Sequence, residues 1–237
     1  MGHDHATVAE EEYLQIMMWL EEAALPLTGA NMARALQVSQ PTVHEMIGRL
    51  EQDGYVTRAE DRSLLFTDEG RRHAETIVRR HRLIERFLTD ILDIPWDEVH
   101  EEAERLEHRV TPRVEEKMLK AIDGADTCPH GHPIEVGKRD PASLLADCEL
   151  GASVRILRFE NEAEELLHYL KDSGLEPGME GTVHATGVEG VTVRAPEGDH
   201  EVSYSVAETV SVVADPSPPP RSALPEQLEL SRDRYGR

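Results

Sequence analysis

Residues 31–67 read NMARALQVSQPTVHEMIGRLEQDGYVTRAEDRSLLFT, and the division of that stretch into elements decides the fold. Asn31 to Leu36 is a short helical run. Ser39-Gln40-Pro41-Thr42 then supplies a turn, an N-cap and a proline suited to a first helical turn. Val43, Ile47 and Leu50 follow at helical spacing until Asp53-Gly54 stops the helix. Tyr55 to Arg58 and Leu64 to Thr67 are two strand-like runs bridged by the polar segment Ala59 to Ser63. Upstream, Thr7 to Ala23 carries Tyr13, Leu14, Met17, Met18 and Leu20 at helical spacing, and Pro26 ends it. Helix, short helix, helix and two-stranded wing is the order of a winged helix-turn-helix, whose third helix enters the major groove of DNA.

That third helix presents Ser39, Gln40, Pro41, Thr42 and His44, with Arg49 further along and Arg62 at the wing tip. These are small, polar or basic groups able to meet base edges, thymine methyls and phosphates. Glu45 works against this, since a carboxylate repels phosphate. The overall charge poses the same objection: 47 acidic residues against 25 basic ones leave a net charge of −22. Within residues 28–75, however, six arginines face eight carboxylates, a balance of −2, so the reading head is far less acidic than its carrier. Scarce lysine, few large aromatics and dispersed acid suggest adaptation to a saline cytoplasm, where salt screens surface charge over a few ångströms.

Downstream, Thr67-Asp68-Glu69-Gly70 caps a long helix reaching about Leu92. Two further helices are expected near Trp96–Arg109 and Pro112–Ile122. A proline- and glycine-punctuated linker follows from Asp123 to about Ala146. Beyond it come short strands at 153–159, 181–186, 191–195, 201–205 and 210–213, with a helical insert near 161–171, the pattern of a small β-barrel. The expected class is mainly α with a small β domain. Its divisions are 1–73 for DNA reading, 74–125 helical, 126–149 linker, 150–214 β, and a proline-bearing tail from 215 to 237 without fixed structure. No secretory signal or long apolar run is seen, which points to a cytoplasmic protein with no membrane partner. Cys128 and Cys148 are too few for a disulfide framework.

The most specific chemical signal is Val99 to His108. At 100° per residue, His100, Glu104, Glu107 and His108 occupy about a third of the helix circumference. On the preceding helix His81 and Glu85 stand at i and i+4. Imidazoles and carboxylates converging from two helices suit Mn²⁺, Fe²⁺ or Zn²⁺. Cys128-Pro129-His130-Gly131-His132 also offers ligand types, but its prolines and glycine read as linker. Acid-rich helices that are only solvated surface, leaving a metal-independent regulator, are one alternative. A metalloenzyme with a His/Glu site is another, against which stand the lack of a His-Glu-x-x-His motif and the winged helix in front.

Ser39 to Val43, Asp61-Arg62-Ser63-Leu64, His81 to Arg86 and Val99 to His108 together resemble the diphtheria-toxin-repressor-like metalloregulators, which include iron-dependent repressors and manganese transport regulators. The resemblance runs from about Glu10 to Val213. It implies a winged helix, a helical dimerisation and metal-binding domain and an SH3-like C-terminal domain. It further implies a homodimer on a palindromic operator, and repression of metal-uptake genes. By position, Glu12, Glu104, Glu107 and His108 would form the activating site. Iron-type members carry methionine and cysteine in place of Glu12 and Glu104, so this chain's oxygen and nitrogen donors admit Mn²⁺ as well as Fe²⁺. Gln15 stands where manganese-type members carry another glutamate. His81, Glu85 and His100 match a second site, with Glu162 and Glu165, at i and i+3 of the insert helix, as candidates to complete it.

Overall fold

Short polar side chains decide where the first helices begin. In the computed structural model, which describes residues 6–215, Thr7 caps α1 (Val8–Glu22) and Glu10 reaches back to the Thr7 amide, so two end donors are satisfied reciprocally. Thr28 caps α2 (Gly29–Leu36). Ser39 caps α3 (Gln40–Gln52), with Pro41 in its first turn, and Thr67 caps α4 (Asp68–Leu92). β1 (Val56–Arg58) and β2 (Leu64–Phe66) pair antiparallel as the wing. At its tip Arg62 takes a φ of 68°, and the Asp61 carboxylate accepts from the Ser63 amide and hydroxyl. One apolar core joins Leu14, Met17 and Leu20 of α1 to Val43, Ile47 and Leu50 of α3, Leu64 of the wing and Ile77 of α4.

α5 (Val99–Glu107) and α6 (Pro112–Ala121) pack on α4. Ile84 and Leu88 meet Val99 and Ala103 there. α5 is shorter than its sequence pattern indicated at both ends, because Trp96 to Glu98 forms a turn after Pro95 and His108 becomes the C-cap. The C-terminal part consists of β3 (Ser143–Leu144), β4 (Ser153–Phe159), α7 (Glu164–Asp172), β5 (Glu180–Thr186), β6 (Gly190–Ala195), β7 (Gly198–Ser203), α8 (Tyr204–Ala207) and β8 (Val210–Asp215). All its strand pairs are antiparallel, in the order β3-β8-β4-β5-β6-β7. The expected barrel is therefore not closed, since β3 and β7 are sheet edges. Phe159, Leu167, Leu170, Val191, Val193 and Val212 form its core, against which Trp96 of the α4–α5 connection packs. Of the tail expected from 215, Asp215 closes β8 and the rest lies outside the described residues. Among the described residues no helix is long and apolar enough to cross a membrane.

The segment read as linker is largely built in. Cys128, His130, Ile134, Leu145 and Cys148 are buried, and the His130 carbonyl accepts from the Phe159 amide at 3.0 Å. This docking uses an irregularity of β4, whose register against β8 shifts between Ile156 and Arg158. Gly131 sits there at φ +91°, and a Cβ would lie 1.9 Å from the Leu157 carbonyl oxygen. Only glycine tolerates both the dihedral and the approach. Gly131→Ala is expected to cost about 2–5 kcal/mol, the sum of a left-handed penalty and an overpacking penalty. Chemical denaturation checks this, and an unchanged midpoint would contradict it.

Candidate metal centre

The α4 turn from His81 to Glu85 is buried, with both of these side chains at 0% residue exposure. α5 lies across it and brings in His100, Glu104 and Glu107. His81 Nε2 is 2.9 Å from Glu85 Oε1 and 3.1 Å from His100 Nδ1, and His100 Nδ1 is 3.0 Å from Glu85 Oε1. Glu162 comes from the C-terminal part, with Oε2 3.3 Å from His100 Nδ1. His81, Glu85, His100 and Glu162 thus offer ligand atoms all within 4.8 Å of one another.

A second group of the same compactness shares two of these carboxylates: Glu85, Cys128, His130 and Glu162. His130 Nε2 is 2.7 Å from the Trp96 carbonyl, to which it is placed to donate. Its Nδ1 lies 3.3 Å from both Glu85 and Glu162 but makes no hydrogen bond, and Glu85 Oε2 is likewise buried without a partner. Buried orphan donors and acceptors cost about 1–3 kcal/mol each. Their occurrence among imidazole, carboxylate and thiol groups fits a divalent cation, which would be held by one of the two groups, His81, Glu85, His100 and Glu162 or Glu85, Cys128, His130 and Glu162. A third, more open group of Asp97, Glu98 and His168 lies at the seam of α5 and α7. There the Lys171 ammonium already sits 2.5 Å from Asp97 Oδ1.

Electrostatics in the buried groups follow from burial opposed by charge. Burial alone lowers an imidazole pKa, but the carboxylates of Glu85 and Glu107 overcome it and raise His81 to about 9. His100 and His130 are likewise pushed well above the usual value against their desolvation, chiefly by Glu104 and Glu162 for the first and Glu85 and Glu162 for the second. Against its own desolvation, Glu85 is held well below the carboxylate range by His81 and His130. Glu162 is held low by His130 and His100, against desolvation and the charge of Glu85. Burial and the Glu85 charge push the Cys128 thiol up to about 11.

At the far end of α5 the arrangement differs from the set carried over by position. His108 Nδ1 pairs with Glu11 Oε2 at 2.7 Å, and its Nε2 is 3.3 Å from Glu107 Oε1. Glu12 is close enough for its charge to help raise the His108 pKa. Glu104 is turned toward His100 Nε2 at 3.1 Å. Glu107, 1% exposed, directs Oε2 to His81 Nδ1 at 2.5 Å and receives the Gln15 amide at 3.1 Å. Glu12, Glu104, Glu107 and His108 therefore do not gather within 4.8 Å. Glu162 joins the buried groups, whereas Glu165 is exposed on α7 and belongs to neither. The i, i+3 pairing expected of these two fails because α7 begins only at Glu164, after a turn in which Asn161 Oδ1 accepts from the Ala163 amide. Cys128 and His130 enter the groups from chain read as linker. Their Cys-Pro-His-Gly spacing was the available signal, and composition pointed away from it.

On the winged helix, Ser39, Gln40, Pro41, Thr42, His44 and Arg49 are exposed at the start and along one face of α3, with Arg62 exposed at the wing tip. The Glu45 carboxylate is occupied by Arg49 at 2.8 Å, which offsets its repulsion toward a polyanion.

Residues 5–64 match the model of the iron dependent repressor, N-terminal DNA binding domain, and residues 67–135 match that of the iron dependent repressor, metal binding and dimerisation domain. The iron-dependent repressor IdeR of Mycobacterium tuberculosis is 36% identical over 217 residues, covering 83% of this chain and 94% of that one. The chain belongs to the iron-dependent repressor family. Within the family, the diphtheria toxin repressor of Corynebacterium diphtheriae is 35% identical over 185 residues, covering 72% of this chain and 81% of its own. Among solved structures, a manganese-dependent transcriptional repressor in complex with manganese superposes with a TM-score of 0.78 at 29% identity, over 86% of this chain and 99% of that one. IdeR of T. acidophilum gives 0.72 at 29% identity, over 89% and 100%.

The raised pKa values make the ion-free chain pH-sensitive. A proton held by His81 stabilises the fold fully below the unfolded value near 6.5, and that contribution is lost as pH rises through about 9. With chelator present, the melting temperature is expected to fall between pH 7 and pH 9. Addition of Mn²⁺ at pH 7.5 is expected to release protons, seen as a dependence of calorimetric heat on buffer ionisation enthalpy. A flat melting profile together with buffer-independent heats would refute this electrostatic picture.

Proposed function

We propose that this chain is a metal-dependent DNA-binding transcriptional repressor activated by Mn²⁺ or Fe²⁺ rather than an enzyme. The observation that carries the reading is the double duty of α1. One face, with Leu14, Met17 and Leu20, shares the core of the DNA-reading helix α3. Another sends Glu11 to His108 and Gln15 to Glu107. The groups that would ligate an ion are thereby tied to the body that presents Ser39 to Arg49 and Arg62.

A bound divalent cation supplies the positive charge that the gathered carboxylates of Glu85 and Glu162 call for, and the oxygen and nitrogen donors beside them suit Mn²⁺ and Fe²⁺. The chain's own residues do the rest. Glu11 orients the His108 ring by accepting at Nδ1, which leaves Nε2 for the Glu107 corner. Gln15 and His81 hold the Glu107 carboxylate between α1 and α4. With carboxylate repulsion relieved, α1 stays seated against the end of α5 and the reading head keeps one pose relative to the α4–α6 unit, so ion binding and operator binding share a coupling free energy. Ile91, Leu92, Leu106, Val114 and Leu119, exposed on α4, α5 and α6, supply apolar surface for a second copy, and a two-fold dimer suits a palindromic operator. Repression of metal-uptake genes is the regulatory role proposed with it.

Operator binding measured by fluorescence anisotropy, with Mn²⁺, with Fe²⁺ under anaerobic conditions and with chelator, tests the proposal. Metal is expected to tighten binding at least about tenfold, and Glu107→Gln and His108→Ala are expected to abolish that gain while leaving weak, salt-sensitive DNA affinity. Affinity indifferent to metal, chelator and both substitutions would leave a metal-independent regulator.

A further inference from the structure

Glu45 is a carboxylate on the helix that meets DNA, and the fold makes little use of it. At 100° per residue, Pro41, Glu45 and Gly48 lie within about 60° of one another on α3, opposite the buried Val43, Ile47 and Leu50. They form the outermost ridge of the helix. The Glu45 side chain keeps 70% of its surface exposed, with Oε1 held by Arg49 at 2.8 Å. An exposed i, i+4 pair of this kind adds little to stability. Gly48 on the same ridge is equally unexplained by packing. Glycine inside a helix is less stable than alanine, yet a Cβ at Gly48 would meet nothing within 4 Å. Its missing side chain keeps the ridge low beside Glu45, so another molecule's surface can come close.

An ionised carboxylate has acceptors only. In the major groove guanine shows two acceptors, thymine an acceptor and a methyl group, and adenine an acceptor beside its amine, whereas cytosine shows a single amino donor. Cytosine is therefore the base that a carboxylate on this ridge accepts from without meeting a second acceptor on the same base. Arg49 offsets the charge that the phosphates would otherwise repel. Its planar guanidinium has five N–H donors, enough to hold Glu45 and to reach a phosphate as well.

We infer that Glu45 is a base-reading residue of α3 that selects cytosine at one position of each operator half-site, with Arg49 offsetting its charge and Gly48 admitting the close approach. The inference rests on the proposed metal-dependent DNA-binding reading. It adds the base chemistry to it, and it turns the one carboxylate that opposes DNA binding into a source of discrimination between sequences.

Selection from a randomised duplex DNA library by the full chain with Mn²⁺, followed by anisotropy on the selected duplex, tests this. The native chain is expected to fix cytosine at one position in each half-site, and exchange of that C·G pair for T·A is expected to weaken binding about tenfold per half-site. Glu45→Gln removes a negative charge facing the phosphates. It is expected to bind unselected DNA several-fold more tightly, yet to lose the cytosine preference at that position while keeping the others. Affinity and discrimination then move in opposite directions, which a mere surface ion pair would not produce. If Glu45→Gln tightens every sequence alike and selects the same bases as the native chain, or if the native pool fixes no cytosine, the inference is overturned. Gly48→Ala is expected to raise the melting temperature but to weaken binding to the selected duplex about tenfold, and full affinity in this variant removes the docking ridge on which Glu45 depends. Should the native chain with Mn²⁺ enrich no sequence at all, the DNA-binding reading itself fails and takes the inference with it.

Discussion

A carboxylate at 1% exposure must have its charge answered by the protein, because desolvation of an isolated anion costs far more than a folded domain has to spare. Glu107 meets that constraint by standing between three elements: Gln15 from α1, His81 from α4 and His108 at the close of its own helix. The position of α1 against α5 follows from it, and α1 shares its other side with α3. The seating of the DNA-reading helix is in this way linked to a few buried polar groups.

The histidines share a device. Four of them commit one ring nitrogen to an acceptor that orients the ring: His108 to Glu11, His81 to Glu107, His130 to the Trp96 carbonyl and His132 to the Phe159 carbonyl. The remaining nitrogen of His81 and of His130 is presented inward, toward Glu85 and its neighbours. In the ion-free chain protons serve as the counter-charge, which is why the His81, His100 and His130 pKa values rise despite burial. On the proposed reading, a divalent cation would displace these protons from the same groups.

The C-terminal part is also engaged with the first helix. Arg82, 3% exposed, pairs with Glu22 at the end of α1 and donates to the Pro133 carbonyl. Arg139 donates to the Glu22 carbonyl and pairs with Glu160, which Arg158 and Ser211 also engage. Breaking a buried pair of this kind costs about 3–5 kcal/mol. The docked Cys128–Pro133 segment joins α4 to β4, and it carries His130 and Cys128 to the buried group as it passes.

The sequence by itself determined what is local. Caps at Ser39 and Thr67, apolar spacing in α1, α3 and α4, and the wing strands around Asp61-Arg62 all follow from neighbours within a few positions along the chain. The i, i+4 pair His81–Glu85 and the His100, Glu104, Glu107 face were legible for the same reason. Elements of two to four residues, β3 and α8, escaped, because periodicity needs several turns or alternations to register. Tertiary structure alone decided which of the candidates meet. Glu11 rather than Glu12 pairs with His108, Glu104 turns to His100, Glu162 enters the centre while Glu165 stays outside, and Cys128 and His130 leave the linker for the core. Those choices depend on how helices cross and where a strand shifts register, distances that no spacing along the chain encodes, and burial then selects the carboxylates and imidazoles that can answer each other's charge.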